Sequence, residues 1–151
     1  MHDELPCEGW YNGLGEGAES VMSERSEYWL ELAEYDLETA KAMLETSRYL
    51  YVGFMCHQAI EKMMKAYYVK ARGEVPPYTH NLELLAQKSS MVESLAPDQL
   101  DFIRRLEPLN IESRYPADRD LLARALTLEK CRLILDQTTE MYRWIEQKLS
   151  N

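Results

Sequence analysis

Apolar residues recur at helical spacing along most of the chain, most clearly over residues 54–73, FMCHQAIEKMMKAYYVKARG. This stretch has no Pro and no internal Gly, and Gly73 stands where a helix would stop. At about 100° per residue, Cys56, Ala59, Ile60, Met63, Met64, Ala66 and Tyr67 share a broad apolar arc. Gln58, Glu61, Lys62 and Lys65 gather on the opposite side. The pattern predicts a core helix with one polar stripe.

A first helix is expected from about Ser23 or Ser26 to about Thr46, with Ser as cap and Glu27 near its positive end. Trp29, Leu32, Ala33, Leu37, Ala40, Met43 and Leu44 form its apolar stripe. Asp36 lies inside that stripe. It either sits at a solvated edge or pairs with a Lys or Arg from a neighbouring helix. Ser47 and Arg48 leave room only for a short connection, so the second helix, about Tyr49 to Arg72, returns antiparallel. Gly53 would permit a close helix approach. Val75-Pro76-Pro77 then enforces an extended segment.

A third helix is expected over about His80–Ser90, capped by Thr79, with Leu82, Leu85 and Ala86 inward. Pro97 opens a fourth, to about Leu106, with Leu100, Ile103 and Leu106 as its stripe. Residues 110–120, NIESRYPADRD, read as a polar connection, and 119–126 as an extra turn or a short separate helix. The last helix begins at Thr127. Its Leu128, Cys131, Leu135, Thr138, Tyr142, Ile145 and Leu149 are spaced 3, 4, 3, 4, 3, 4, a seam suited to bundle packing within one chain or across a dimer. No convincing strand alternation occurs. The expected class is all-α, an up-and-down bundle of about five helices, two of them short.

Composition changes the picture at the N-terminus. Residues 1–22 carry Asp3, Glu4, Glu8, Glu16 and Glu19 but no Lys or Arg, with four Gly among them. They read as an acidic arm, 1–22, set apart from a helical domain, 23–151. Trp10, Tyr11 and Leu14 could dock that arm on the body or on a second copy. Over the whole chain the net charge is −9, which argues against DNA or general nucleic-acid binding through net charge and leaves a local basic site open. Cys7, Cys56 and Cys131 form no CxxC pair, so no metal site and no cofactor are expected. The absence of a secretory signal or membrane-length apolar run leads to the expectation of a cytoplasmic protein with reduced thiols.

Four motifs in order carry a resemblance: LAEYDLETA ending at Ala40, FMCHQAIEKMMKA at Phe54–Ala66, THNLELL at Thr79–Leu85 and SRYPADR at Ser113–Arg119. Over about residues 24–150 the chain resembles the HEPN domain family of small bacterial and archaeal helical domains. The resemblance implies a four- to five-helix bundle, usually homodimeric. It also implies a place beside a minimal nucleotidyltransferase in toxin–antitoxin-like pairs. Many such proteins are metal-independent ribonucleases with an Arg followed, after four to six residues, by a His. Here the histidines are His2, His57 and His80, and none follows Arg114 or Arg119. Arg72 precedes His80 by eight positions, across the Pro76-Pro77 turn. No catalytic residue is therefore carried over. The Asp expected directly after Arg114-Tyr115-Pro116 is displaced to Asp118 by Ala117.

The residues themselves suggest a site. Gln58, Lys62 and Lys65 share one helix face, and Arg114, Tyr115 and Arg119 lie on a segment that can come over it. Lysines as point charges, arginines as bidentate forks and a tyrosine ring would suit a phosphate or nucleotide. The competing account is a structural network in which Asp36, Glu61 and Asp118 neutralise those cations. His57 is expected to be a satisfied core histidine. His80 is expected at the surface with a lowered pKa, general base catalysis being its lesser alternative. Tyr49, Tyr51, Tyr67, Tyr68, Met55, Met63 and Met64 are read as core and dimer surface.

Two functions follow. One is a homodimeric nucleotide- or RNA-binding partner of a nucleotidyltransferase that does not cleave RNA by the usual motif. The other is a divergent metal-independent ribonuclease using Arg114 or Arg119 with His80 or Tyr115. A purely structural helical dimer is the plainest alternative.

Overall fold

The computed structural model describes the backbone of residues 18–151 and the side chains from Arg25 onward, Ser113 excepted. Most of the expected acidic arm, residues 1–17, lies outside the described residues. Six α-helices follow in order: α1 Ala18–Glu45, α2 Tyr49–Arg72, α3 Leu82–Lys88, α4 Pro97–Leu106, α5 Pro116–Ala125 and α6 Leu128–Ser150. Single 3-10 turns occupy Met91–Ser94, Glu107–Leu109 and Ile111–Ser113. The described residues hold no strand, and the class is all-α.

The helix count among the described residues is six, where about five were expected. The added element is α5, which takes in the C-terminal end of the segment read as a connection. Pro116 stands in its first turn, where a missing N–H costs nothing and the fixed φ suits a helix. Asp118 follows in the same turn, near the positive end of the helix dipole. Helix α1 begins at Ala18, upstream of the expected serines. In α3 the cap is Asn81, not Thr79: its side chain accepts from the Leu84 N–H at 3.0 Å. Thr79 instead accepts from the Asn81 N–H through Oγ1 at 3.1 Å, shaping the approach to the cap.

Helices α1 and α2 form the expected antiparallel hairpin. Ser47 turns the chain at φ 61°, and the Arg48 N–H donates to the Met43 carbonyl at 2.7 Å. Helix α6 closes a three-helix centre. Cys131, Leu135, Thr138, Tyr142, Ile145 and Leu149 of its seam are buried within this single chain. Helices α3 and α4 cover another flank with Leu82, Leu85, Ala86, Phe102, Ile103 and Leu106. Gly53 lies not under another long helix but under Leu109 and Leu126. A Cβ there would meet Leu109 Cδ1 at 3.2 Å. The close approach seats the 3-10 segment that precedes α5.

Helix α2 is the axis of the fold, buried on nearly every side. Ile60, Met63, Met64 and Ala66 are wholly buried, as the apolar arc requires. Gln58, Glu61 and Lys65 of the polar stripe are buried as well.

Candidate functional site

The polar stripe of α2 forms the floor of a cleft of about 520 Å³. Gln58, Glu61, Lys62 and Lys65 are at positions i, i+3, i+4 and i+7, so all four lie along one side of the helix. Tyr28, Trp29 and Leu32 of α1 make one wall. The other wall is the segment Pro76–His80, and Glu112 of the last 3-10 turn closes one end.

Local chemistry explains how that second wall is placed. Gly73 ends α2 in the left-handed region at φ 67°, and its N–H donates to the Val69 carbonyl at 2.8 Å. The two prolines keep the following residues extended. The chain thus doubles back beside α2 before Asn81 starts α3. His80, just ahead of that cap, comes to rest over Glu61.

Glu61 is the centre of the charge arrangement. Its Oε2 accepts from Lys65 Nζ at 2.9 Å, and both its carboxylate oxygens lie 3.0 Å from His80 Nδ1. His57 Nδ1 approaches Oε1 at 3.8 Å. Burial alone would raise the Glu61 carboxyl, but the His80 hydrogen bond and the Lys65 ammonium outweigh it and hold the carboxyl below its usual value. The Glu61 hydrogen bond in turn raises the His80 imidazole above its ordinary pKa, against the opposing effect of burial. The expected lowered value is corrected on this point: the contact with a buried carboxylate outweighs the position ahead of a helix.

Lys62 Nζ donates to Asp36 Oδ2 across the α1–α2 contact. Of the two readings of Asp36, the pairing with a neighbouring helix is the one seen. Burial nevertheless keeps the Asp36 carboxyl above the usual range, with Lys62 only partly offsetting it. Lys65 Nζ also stands 5.2 Å over the Trp29 ring, a cation–π contact. His57 is fully buried, with Nε2 3.4 Å from Glu107 Oε1. The same Glu107 oxygen accepts from the Leu82 N–H at the start of α3, at 3.1 Å. His57 Nδ1 has no hydrogen bond within reach, so the ring is a core histidine satisfied on one side.

Three expected site residues, Gln58, Lys62 and Lys65, line the cleft. Arg114, Tyr115 and Arg119 do not: the Arg114 Nε donates to the Pro108 carbonyl at 3.0 Å, and Tyr115 is 79% exposed. Arg119 projects from α5, with its Nε out of solvent and without a hydrogen-bond partner. The segment does reach the cleft, but through Glu112. Asp36 and Glu61 belong to the ion-pair network, whereas Asp118 is exposed on α5 and joins no ion pair among the described residues. The aromatic and proline walls were not foreseen as parts of the site, and His80 was expected there only in the alternative reading, as a general base. The signal available was the Pro76-Pro77 turn, which reverses the chain just before His80.

Among the described residues no His, Cys, Asp or Glu cluster is arranged to hold a metal ion. No helix of the described residues is long and apolar enough to cross a membrane. What the cleft presents is a set of paired charges, Lys62 with Asp36 and Lys65 and His80 with Glu61, and a histidine oriented by a buried carboxylate.

The HEPN domain model matches residues 26–148, which take in α2, the Pro-Pro turn and both halves of the cleft. The chain belongs to the HEPN family. Among solved structures, TT1696 from Thermus thermophilus is similar to this HEPN protein, with a TM-score of 0.70 and 26% identity. The similarity covers 82% of this chain and 98% of TT1696. No curated protein matches the sequence.

Proposed function

We propose that this HEPN protein is a nucleotide- or RNA-binding partner module, acting as a homodimer beside a nucleotidyltransferase in a toxin–antitoxin-like pair. The observation that carries the reading is the cleft over α2, which Lys62, Lys65 and His80 line together with Tyr28, Trp29 and Tyr78. Its volume is in the range of small-ligand sites, and it pairs a floor of ion-paired lysines with aromatic and proline walls. Arg114, Tyr115 and Arg119, just beyond Glu112, would extend the footprint for a ligand longer than one nucleotide.

Titration calorimetry of the protein with ATP, GTP and a short RNA tests the binding. Salt-sensitive heat is expected, reduced in Lys62→Ala, and for RNA also in Arg114→Ala. Absence of heat with all three ligands refutes the reading. Sedimentation should report a dimer, and co-purification with the product of an adjacent nucleotidyltransferase gene tests the partnership.

A second reading, metal-independent RNA cleavage, is favoured by one observation only. Glu61 holds Nδ1 of His80, as a carboxylate orients a general base, and leaves Nε2 for the cleft. Intact RNA after incubation with the protein in chelator across pH 6–9 would exclude it.

A further inference from the structure

The cations of the cleft are not free. Lys62 is engaged by Asp36, and Lys65 and His80 share Glu61. Glu112 adds a further carboxylate at the end of the cleft. With His80 protonated the three cations balance Asp36, Glu61 and Glu112. With His80 neutral the sum is one negative charge. Such a floor has no surplus for a chain of phosphates, each of which needs its own donors. Tyr28, Trp29, Leu32, Pro76, Pro77 and Tyr78, by contrast, offer walls to one flat ring system.

We propose that the cleft takes a ligand with a single phosphate on an aromatic body, a nucleoside monophosphate or the 5′-monophosphate end of a short RNA, and that His80 is the residue that recognises the phosphate. This rests on the cleft being the nucleotide site. The geometry at His80 is specific. Both oxygens of a carboxylate that is 2% exposed lie 3.0 Å from Nδ1, which fixes the ring and assigns Nδ1 the proton. The His80 side chain is 56% exposed and lines the cleft, so the opposite nitrogen, Nε2, is available to the ligand. Protonated there, it donates one charge-assisted hydrogen bond to a phosphate oxygen.

The groups around His80 come from every neighbouring element. Glu61, Lys62, Lys65 and the buried His57, whose Nδ1 is 3.8 Å from Glu61 Oε1, lie on α2, Asp36 and Tyr28 on α1, Glu112 on the 3-10 turn, and Tyr78 on the same wall as His80. Of the described residues that line the cleft, His80 is the one imidazole, and the comparison of pH 7 with pH 9 is aimed at it. A phosphate monoester has lost its second proton above about pH 6, so the ligand charge is constant in that window.

Calorimetry with adenosine, AMP, ADP and ATP, and with GMP and GTP, at low salt and pH 7.0 tests the class of ligand. A monophosphate should bind at least roughly fivefold tighter than the matching triphosphate, about what one partly exposed charge contact carries. Adenosine should bind more weakly than AMP. Monophosphate affinity should fall by roughly fivefold from pH 7 to pH 9, and the fall should be absent in His80→Gln. A 5′-phosphorylated dinucleotide that outcompetes AMP assigns the site to an RNA end, and the reverse order assigns it to a free mononucleotide. Triphosphates binding as tightly as monophosphates, or affinity unchanged from pH 7 to pH 9, overturn the inference while leaving nucleotide binding intact. Absence of binding by every nucleotide, the dinucleotide included, removes both. The comparisons made on unaltered protein decide the outcome even if His80→Gln folds poorly.

Discussion

The two sides of α2 are both buried, and they are buried for opposite reasons. Ile60, Met63, Met64 and Ala66 gain by leaving water, in proportion to the apolar area they hide. Glu61 and Lys65 lose by leaving water, and their mutual pairing, His80 and the Trp29 ring offset the loss. A side that stabilises by area should tolerate smooth changes of shape. A side that stabilises by pairing should fail when one partner goes and recover when both go. The largest expected effect follows from that difference. Glu61→Ala leaves a buried ammonium unpaired and should cost about 3–5 kcal/mol of unfolding free energy. Replacing Glu61 and Lys65 together by Met should recover most of that loss in urea melts. Failure of the double variant to recover would mean that the stripe depends on shape rather than on charge.

Met63→Ala on the other side should cost about 2–5 kcal/mol, through lost burial and the cavity left behind. Met63→Leu, which keeps the volume, should cost less than about 1.5 kcal/mol. Melts of the two variants, set against the Glu61 series, show whether the arcs obey different rules. Equal recovery on both sides would erase the distinction.

Which residues share a side of α2 was legible in the sequence, because periodicity alone decides it. The bounds of α2, the start of α4 at Pro97 and the inward residues of α3 were legible for the same reason, or from the punctuation of proline and glycine. What covers each side was not. A helical wheel places Glu61 beside Lys65, but it carries no information about a chain that returns after Gly73 and lays His80 across them. The seam of α6 shows the same limit: its spacing announces packing, while only the fold shows that the seam is filled within one chain. Helix α5 was half visible, since Pro116 reads equally as the end of a loop and as the first turn of a helix. The expectation that Arg114 and Arg119 would cover the stripe rested on proximity along a segment. The Arg114 bond to the Pro108 carbonyl and the start of α5 take them elsewhere.

A smaller effect separates the two sides by pH, since only the stripe titrates. His80 is raised above its ordinary 6.5, so its contribution to stability is complete below that value and is lost as pH rises through its folded pKa. Glu61 is held below its ordinary 4.5, so its contribution is present above that value and is lost as pH falls through its folded pKa. Asp36 runs the other way from Glu61. Its folded pKa lies above 3.8, so acid relieves rather than removes a constraint there. The stripe should therefore be most stabilising between about pH 4.5 and 6.5. Melting temperature across pH 4–9 should decline on the alkaline side of that range, and His80→Gln should flatten the decline. A His80→Gln variant with the same alkaline decline would place the titrating group elsewhere.

The smallest effects are expected where the chain leaves the stripe altogether. Asp118 is exposed and joins no ion pair among the described residues, so Asp118→Ala should change stability by no more than about 0.5 kcal/mol. Arg114→Ala removes one hydrogen bond to the Pro108 carbonyl and should cost about 0.5–1.5 kcal/mol. That modest cost makes Arg114 a useful probe. If the arginine only fastens the 3-10 segment before α5, its loss lowers the urea midpoint and leaves RNA affinity where it was. If it extends the nucleotide footprint, RNA affinity falls and mononucleotide affinity does not, because the cleft itself is lined without it. A fall in both affinities would instead mean that the fastened segment, through Glu112, holds the end of the cleft in place. The stripe would then be bounded by a contact made outside it.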